Sequence, residues 1–366
     1  MYKSVSETAL LWSSLTVDWF PSSESRDGIV NQQVVLGTYT SGTDKEYLSI
    51  GTARFLISKD AKGTNSQLVI NKRIDHDGEV NRARIMPQNP NIIATASVSG
   101  DVYLFDHTKF PDNPSGEFRP TATLAYHTEN GYGLSWNYLE EGKLLTSSDD
   151  SKIALWDVNN PDTVLQSFNA HKDIVNDVEW HRLNPNLFAS VSDDKWLYIY
   201  DLRTQSDLAG RVKAHDEPVN SLAFSPFSTY MLATVSGDQT GALWDSRNLS
   251  LKLHSLEGHG DSVTSVNWHP HADGVLATAG ADRRIILWDI TRIGEEQAPD
   301  DAEDGAPELL FMHGGHTSSI NDFRWNPQHP WTAISVSDDN IAQIWTPSAS
   351  IVERHTANVI PDSSLE

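Results

Sequence analysis

The stretch His127–Asp157, HTENGYGLSWNYLEEGKLLTSSDDSKIALWD, carries three strand signals in a row. YGLSW alternates, KLLTSS and KIALW are compact apolar runs, and polar or turn-forming residues separate them. Its first histidine and last tryptophan recur elsewhere. Histidines 76, 127, 171, 215, 259 and 316 are each followed 29 residues later by Phe105, Trp156, Tyr200, Trp244, Trp288 and Trp345. His127, His171, His215 and His259 are spaced by 44 residues.

A period near 44 residues with three or four short strands per copy is that of a WD-repeat propeller. The expectation is an all-β, seven-bladed propeller forming one domain over residues 1–366. Nine residues after each histidine stands a bulky apolar side chain (Ile85, Trp136, Trp180, Phe224, Trp268, Trp325), expected to pack between blades. Asp150, Asp194, Asp238, Asp282 and Asp339 precede the terminal aromatic by six residues, and Thr146, Ser190, Thr234, Thr278 and Ser335 stand four residues before them. Histidine, hydroxyl and aspartate invite a catalytic-triad reading, but a nucleophile is needed once and this set recurs in five blades. The set reads instead as a structural hydrogen-bond network. The copy from His76 departs, with Ser99 at the aspartate position. SLTVDWFP (14–21) repeats the first-strand pattern, with QVVLGTYTS, YLSIGTARFL and QLVINKRI behind it, and so supplies the blade the six histidines do not. The last repeat lacks a fourth strand, which residues 1–13 are expected to provide, closing the ring and removing its edges.

Fifty acidic residues against 27 Lys plus Arg give a net charge of −23, which repels phosphate backbones and suits a basic protein partner rather than nucleic acid. There is no cysteine and hence no disulfide framework. The first twenty residues carry Glu7 and Asp18 without a basic leader, and no run of 18 apolar residues occurs, so neither secretion nor a membrane role is expected. The close pairs His269–His271 and His313–His316 have no supporting carboxylate, so no metal is expected; no cofactor motif or nucleophile elbow is found either.

The largest departure from the repeat is IGEEQAPDDAEDGAPELLF (293–311), with seven acids, no base, and an apolar end at Leu309, Leu310, Phe311 and Met312. Acid beside apolar fits a basic amphipathic helix. This insertion, together with EVNRARIMPQNPNIIAT (79–95), ENGYGLSW (129–136) and RNLSLKLHS (247–255), resembles the retinoblastoma-binding, histone-binding WD-repeat family. That family includes the regulatory subunit of the type B histone acetyltransferase and the small subunit of chromatin assembly factor 1.

The resemblance implies a non-catalytic subunit of nucleus and cytoplasm that binds histones H4 and H3 and presents them to a catalytic acetyltransferase subunit or to chaperone subunits. It implies a rim site for the first helix of histone H4, formed by Asp300, Asp301, Glu303 and Asp304 with the ledge Leu309–Met312. It also implies a top-face site for the histone H3 tail at Glu79, Asn81, Arg82, Tyr132, Asp193 and Asp338. At four further family positions the character has changed, to Asn130, Asn176, Ser262 and Thr264. The family places a helix before this region, and MYKSVSETALLW is read as lying near that helix's end, so a short N-terminal helix is expected. Residues 347–366 are read as a C-terminal tail. Two other readings stand beside this one: a subunit of a chromatin assembly or remodelling complex, and a WD-repeat adaptor such as a ubiquitin-ligase substrate receptor.

Overall fold

In the computed structural model, which describes residues 1–56, 67–204, 208–297 and 305–356, seven four-stranded antiparallel sheets stand around a central channel. The innermost strands are Val17–Arg26, Val80–Ile85, Gly131–Trp136, Val175–Trp180, Val219–Phe224, Val263–Trp268 and Ile320–Trp325, one for each of blades 1 to 7. The first six blades then run outward in sequence order. Blade 7 takes its outer strand from the other end of the chain: Tyr2–Ala9 pairs antiparallel with Ile341–Pro347, Val5 opposite Trp345.

This strand corrects the expected N-terminal helix. Tyr2–Ala9 alternates between half-buried and exposed residues, a period of two that suits the open edge of blade 7 and not a helix. The one α-helix among the described residues, α1 (Ala349–Thr356), lies in the stretch read as a tail.

The repeat residues form the expected network. In blade 3 the His127 ring donates from Nδ1 to Asp150 at 3.2 Å and accepts at Nε2 from Thr146 at 2.8 Å; Trp156 donates to the same hydroxyl at 3.0 Å. Blades 5 and 6 repeat this with His215, Asp238, Thr234 and Trp244, and with His259, Asp282, Thr278 and Trp288. Blade 4 keeps His171, Asp194 and Ser190, with Tyr200 in place of the indole. In blade 7 Ser337 comes between His316 and Asp339: its hydroxyl is 2.8 Å from the ring and donates to the carboxylate, which stands 3.7 Å from Nδ1. His316 still receives the Ser335 hydroxyl, while the Trp345 indole N–H is buried without a partner.

Each aspartate also holds its turn. Ser151, Lys195, Gln239, Arg283 and Asn340, directly after it, have φ between 60° and 73°. That region is costly for side chains other than asparagine. The aspartate offsets the cost by accepting the amide two residues on, as from Lys152, Trp196 and Thr240. The departure at blade 2 then has a cause: Gly100 takes this position without strain, so the carboxylate is not needed for the turn. His76 keeps the Thr95 hydroxyl at 2.8 Å and donates from Nδ1 to the Gly78 carbonyl.

The bulky apolar positions stitch neighbouring blades. The indoles of Trp19, Trp136, Trp268 and Trp325 donate to the backbone carbonyls of Arg324, Arg84, Ala223 and Asn267, each in the preceding blade. Deeper in the channel Asp322 of blade 7 accepts the Val17 amide of blade 1 at 3.0 Å and Arg84 of blade 2 at 3.0 Å. Truncation of the buried Trp136 side chain to alanine removes the core packing between blades 2 and 3 together with its hydrogen bond. We expect Trp136→Ala to cost about 3–5 kcal/mol in urea unfolding.

Acid should unfold the ring through both members of the network. Burial pushes the His76 imidazole down to about 4 and lowers His215 and His316. The native rings refuse a proton that the unfolded chain takes below its ordinary pKa near ~6.5, so their stabilising contribution is full above that pH and is lost on acidification. For His76 this amounts to roughly 3 kcal/mol by pH 4. Burial alone would raise Asp150, Asp194, Asp238, Asp282 and Asp339, but hydrogen bonds reverse this and hold them below the usual carboxylate range. Their contribution is lost at lower pH still. The urea midpoint should therefore fall steadily from about pH 6.5 to pH 4, and a flat profile would contradict the network's role.

Candidate functional site

The acidic insertion leaves blade 6 after its third strand, Ile285–Asp289, and returns as its outer strand, Leu309–His313. Asp300, Asp301, Glu303 and Asp304 lie outside the described residues. The two stems are each pinned by a histidine. Asp289 accepts from His355 of α1 at 2.9 Å and caps the turn Ile290–Arg292, while Glu308 pairs with His254 of blade 5 at 2.7 Å. Burial would raise Asp289, yet the bonds from His355 and Thr291 hold it below the usual carboxylate range.

The apolar ledge is corrected by the structure. Leu310 and Phe311 are buried, 3% and 5% exposed, between blades 6 and 7. The Phe311 ring meets Tyr2 edge-on at 5.3 Å, and Ile351 and Val352 of α1 pack on the same cluster. Leu309 and Met312 are half-buried against the core shared by blades 5 and 6. The run is amphipathic in neither the helical nor the simple strand sense. A bulge opposite Leu287 and Trp288 turns both of its faces to core. Ring closure nonetheless brings the first residues of the chain to the stem of the insertion: the Tyr2 hydroxyl is 2.9 Å from His313 Nδ1.

On the top face, Glu79, Tyr132 and Asp193 come together, and a fourth group joins them that sequence reasoning missed. Burial raises the Tyr132 phenol first, then Asp149, Glu79 and Asp193 add to it. Asp149 is itself raised by burial and by Asp193 and Asp150, and its Oδ1 is buried without a hydrogen bond. Its signal was the doublet Ser-Asp-Asp at 148–150, 192–194 and 337–339, in which the second aspartate serves the network and the first faces outward. Glu79 is raised by burial and by Glu46.

The remaining predicted residues do other work. Arg82 lines the channel beside Arg84 and Asp322. Asp338 stays in blade 7, accepting from Asn321 at 2.8 Å. Asn81 donates to the Gly131 carbonyl of the next blade. Asn176, Asn220, Thr264 and Asn321 likewise donate to Val219, Val263, Ile320 and Ser14. Asn176 and Thr264, read as lost binding positions, are inter-blade clamps. Asn130 and Asn176 also donate to Asp149 and Asp193, and so hold the acids of the face in place. No group of three metal-ligating side chains occurs among the described residues.

Seven sheets carrying this recurrent network define a WD-repeat propeller. A model for WD-domain G-beta repeats matches residues 162–201, 206–245, 250–289 and 307–346, and one for the histone-binding protein RBBP4 or its counterpart in the CAF1 complex matches residues 1–56. The chain is 44% identical over 387 residues to histone acetyltransferase type B subunit 2 of Schizosaccharomyces pombe, covering 99% of this chain and 90% of that protein. It is 45% identical over 398 residues to the protein of the same name from Mycosarcoma maydis, covering 99% and 92%. The chain belongs to this histone-binding, RBBP4-like family of WD-repeat proteins.

The burial of Phe311 yields a direct expectation. Phe311→Ala should lower stability by about 3–5 kcal/mol in urea unfolding, as a core truncation does. A ledge residue free in solvent would change it by less than about 0.5 kcal/mol.

Proposed function

We propose that this chain is a non-catalytic histone-binding subunit of a type B histone acetyltransferase complex, acting in nucleus and cytoplasm. It takes the first helix of histone H4 at the rim and holds the histone for a catalytic partner. One observation carries this reading. The segment 1–56, matched by the histone-binding family model, is drawn by ring closure against the strand that leaves the acidic insertion, through Tyr2 on Phe311 and His313. Because Leu310 and Phe311 are buried, the affinity in this reading comes from the acids of the insertion, the half-buried Met312 and the exposed edge of Tyr2–Ala9. Each exposed charge pair contributes about 0.2–1 kcal/mol, so several acids must act together.

The top face supports a second contact of the same class. Glu79, Asp149 and Asp193 are crowded acids whose ionised forms gain from a cation, and Tyr132 offers an aromatic surface beside them. A basic tail such as that of histone H3 fits this chemistry. A chromatin assembly or chaperone complex would use the same surfaces with a different partner, whereas a ubiquitin-ligase adaptor would need neither.

Calorimetric titration of a histone H4 first-helix peptide tests the rim. Asp301→Lys with Asp304→Lys should weaken binding at least about tenfold with an unchanged Tm, since exposed loop acids contribute little to the fold. Equal affinity in the variant sinks the rim assignment. A histone H3 tail peptide, titrated against Asp149→Asn with Asp193→Asn, separates the top face from it.

A further inference from the structure

The loops joining the first and second strands of each blade lie at the opposite end of the channel from the acidic face, and several are hydrogen-bonded to their neighbours. Gln88 donates to the Asn137 carbonyl at 2.8 Å and Asn137 to that of Pro185 at 3.0 Å; His181 reaches Thr229, His271 reaches Pro327, and Gln328 reaches Pro21. At their centre is a cavity of about 290 Å³ walled by Pro21, Pro87, Pro270 and Pro327. It sits at the lower mouth of the channel, with Asp18, Arg182 and Arg324 bordering both spaces.

Three features make this mouth a built site. Its cations are incompletely used: Arg324 donates from Nη1 to Asn267 at 2.7 Å, but its buried Nε makes no hydrogen bond and stands 4.0 Å from Asp322. The acid beside them is already occupied, since Asp18 accepts the amides of Trp19 and Ile85. Glu179, the partner of Arg182 at 2.9 Å, lines the channel and not this cavity. In a chain of net charge −23, two arginines here face one committed acid.

The second feature is apolar. Tyr138, Leu139, Leu183, Phe227 and Tyr230 are all exposed, and all belong to the loops of blades 3, 4 and 5 on this same face. Leu139 is 54% exposed and Phe227 43%. Exposed large apolar side chains gathered on adjoining loops mark interaction surfaces. The third is a rigid link between the two: the Arg182 guanidinium lies over the Tyr138 ring at 4.0 Å, fixing the cation at the border of the apolar crescent.

We propose that this mouth binds an extended peptide segment of a partner protein in which an aspartate or glutamate is flanked by apolar residues. The carboxylate takes charge-assisted hydrogen bonds from Arg182 and Arg324. The flanking residues lie on the prolines and along the crescent from Tyr138 to Phe227. Its ligand is opposite in charge to a histone tail, so a single chain holds a basic ligand on one side and an acidic segment on the other without competition.

Three fluorescein-labelled pentapeptide pools test this, each with leucine, phenylalanine or proline at the four outer positions and glutamate, glutamine or lysine at the centre. Binding is read by polarisation on the full chain. The glutamate pool should bind at least about tenfold tighter than the other two, and Leu139→Glu with Phe227→Glu should remove that binding at unchanged Tm. Asp149→Asn with Asp193→Asn should leave it intact, and histone peptides should bind the Leu139, Phe227 variant as they bind the original chain. Arg182→Gln, if it folds, should erase the preference for glutamate over glutamine. Equal binding of the three pools, preference for lysine, no binding at millimolar chain concentration, or insensitivity to the Leu139 and Phe227 changes overturns the proposal.

Discussion

Closure of the ring is the constraint on which the remaining structure depends. A sheet that curls through seven blades has two raw edges until its last blade is completed, and here the completing strand comes from residues 2–9. Pairing along Ile341–Pro347 satisfies the backbone of that edge and joins the two ends of the chain in one sheet. On the channel side the same joint is held by Asp322, which ties the blade 1 backbone and the Arg84 guanidinium of blade 2 to blade 7. Burial lowers Arg84 to about 10 and opposes the ionised Asp322, whose carboxyl nonetheless stays low through Arg84 and Arg324. Such a buried pair specifies a geometry more than it adds stability, because each ion gave up water to be there. Its place at the one joint not covered by chain continuity is where specification matters most.

Closure also builds the rim. Tyr2 exists at its position because the first strand must lie outside Ile341–Pro347, and from there it reaches Phe311 and His313 of blade 6. The acidic insertion is therefore bordered by the chain's own beginning, by α1 through His355, and by blade 5 through His254. Three parts of the chain remote in sequence meet at its stems. A mobile appendage on a blade would not need them; a surface that must hold a partner in one orientation does.

The repeat made the fold legible because its period reports a physical unit: one histidine, one hydroxyl, one carboxylate and one aromatic for each four-stranded sheet. Where legibility failed, the cause was tertiary context. MYKSVSETALLW has no decisive propensity, and only the vacant edge of blade 7 makes Tyr2–Ala9 a strand. PELLFM looks like an exposed ledge when read alone, yet the bulge in Leu309–His313 and the cover given by α1 put Leu310 and Phe311 inside. Asn176 and Thr264 looked like failed binding residues because their real partners, the Val219 and Ile320 carbonyls, are 43 and 56 residues away in sequence. Asp149 was hidden behind its neighbour, the network aspartate Asp150.

The two ends of the channel show how one scaffold separates opposite chemistries. Successive residues of an inner strand alternate between channel and blade interior, so a ring of seven strands presents its side chains to the channel as stacked layers. One layer holds Thr16, Arg82, Asp177, Ser221, Ser265 and Asp322, with Gly133 in blade 3, where a Cβ would fall on the Ser147 hydroxyl. The next holds Asp18, Arg84, Glu179, Asn267 and Arg324. Acids and arginines alternate within these layers and neutralise one another inside the ring. The charge that remains uncompensated is pushed to the mouths: Glu79, Asp149 and Asp193 above, Arg182 and Arg324 below. A mutation in a middle layer thus acts on both faces through the pairing it breaks, whereas a mutation at either mouth changes one face alone. That asymmetry is a property of a closed ring with a charged bore, and it makes the two faces independently tunable by substitutions in loops that never touch the blade core.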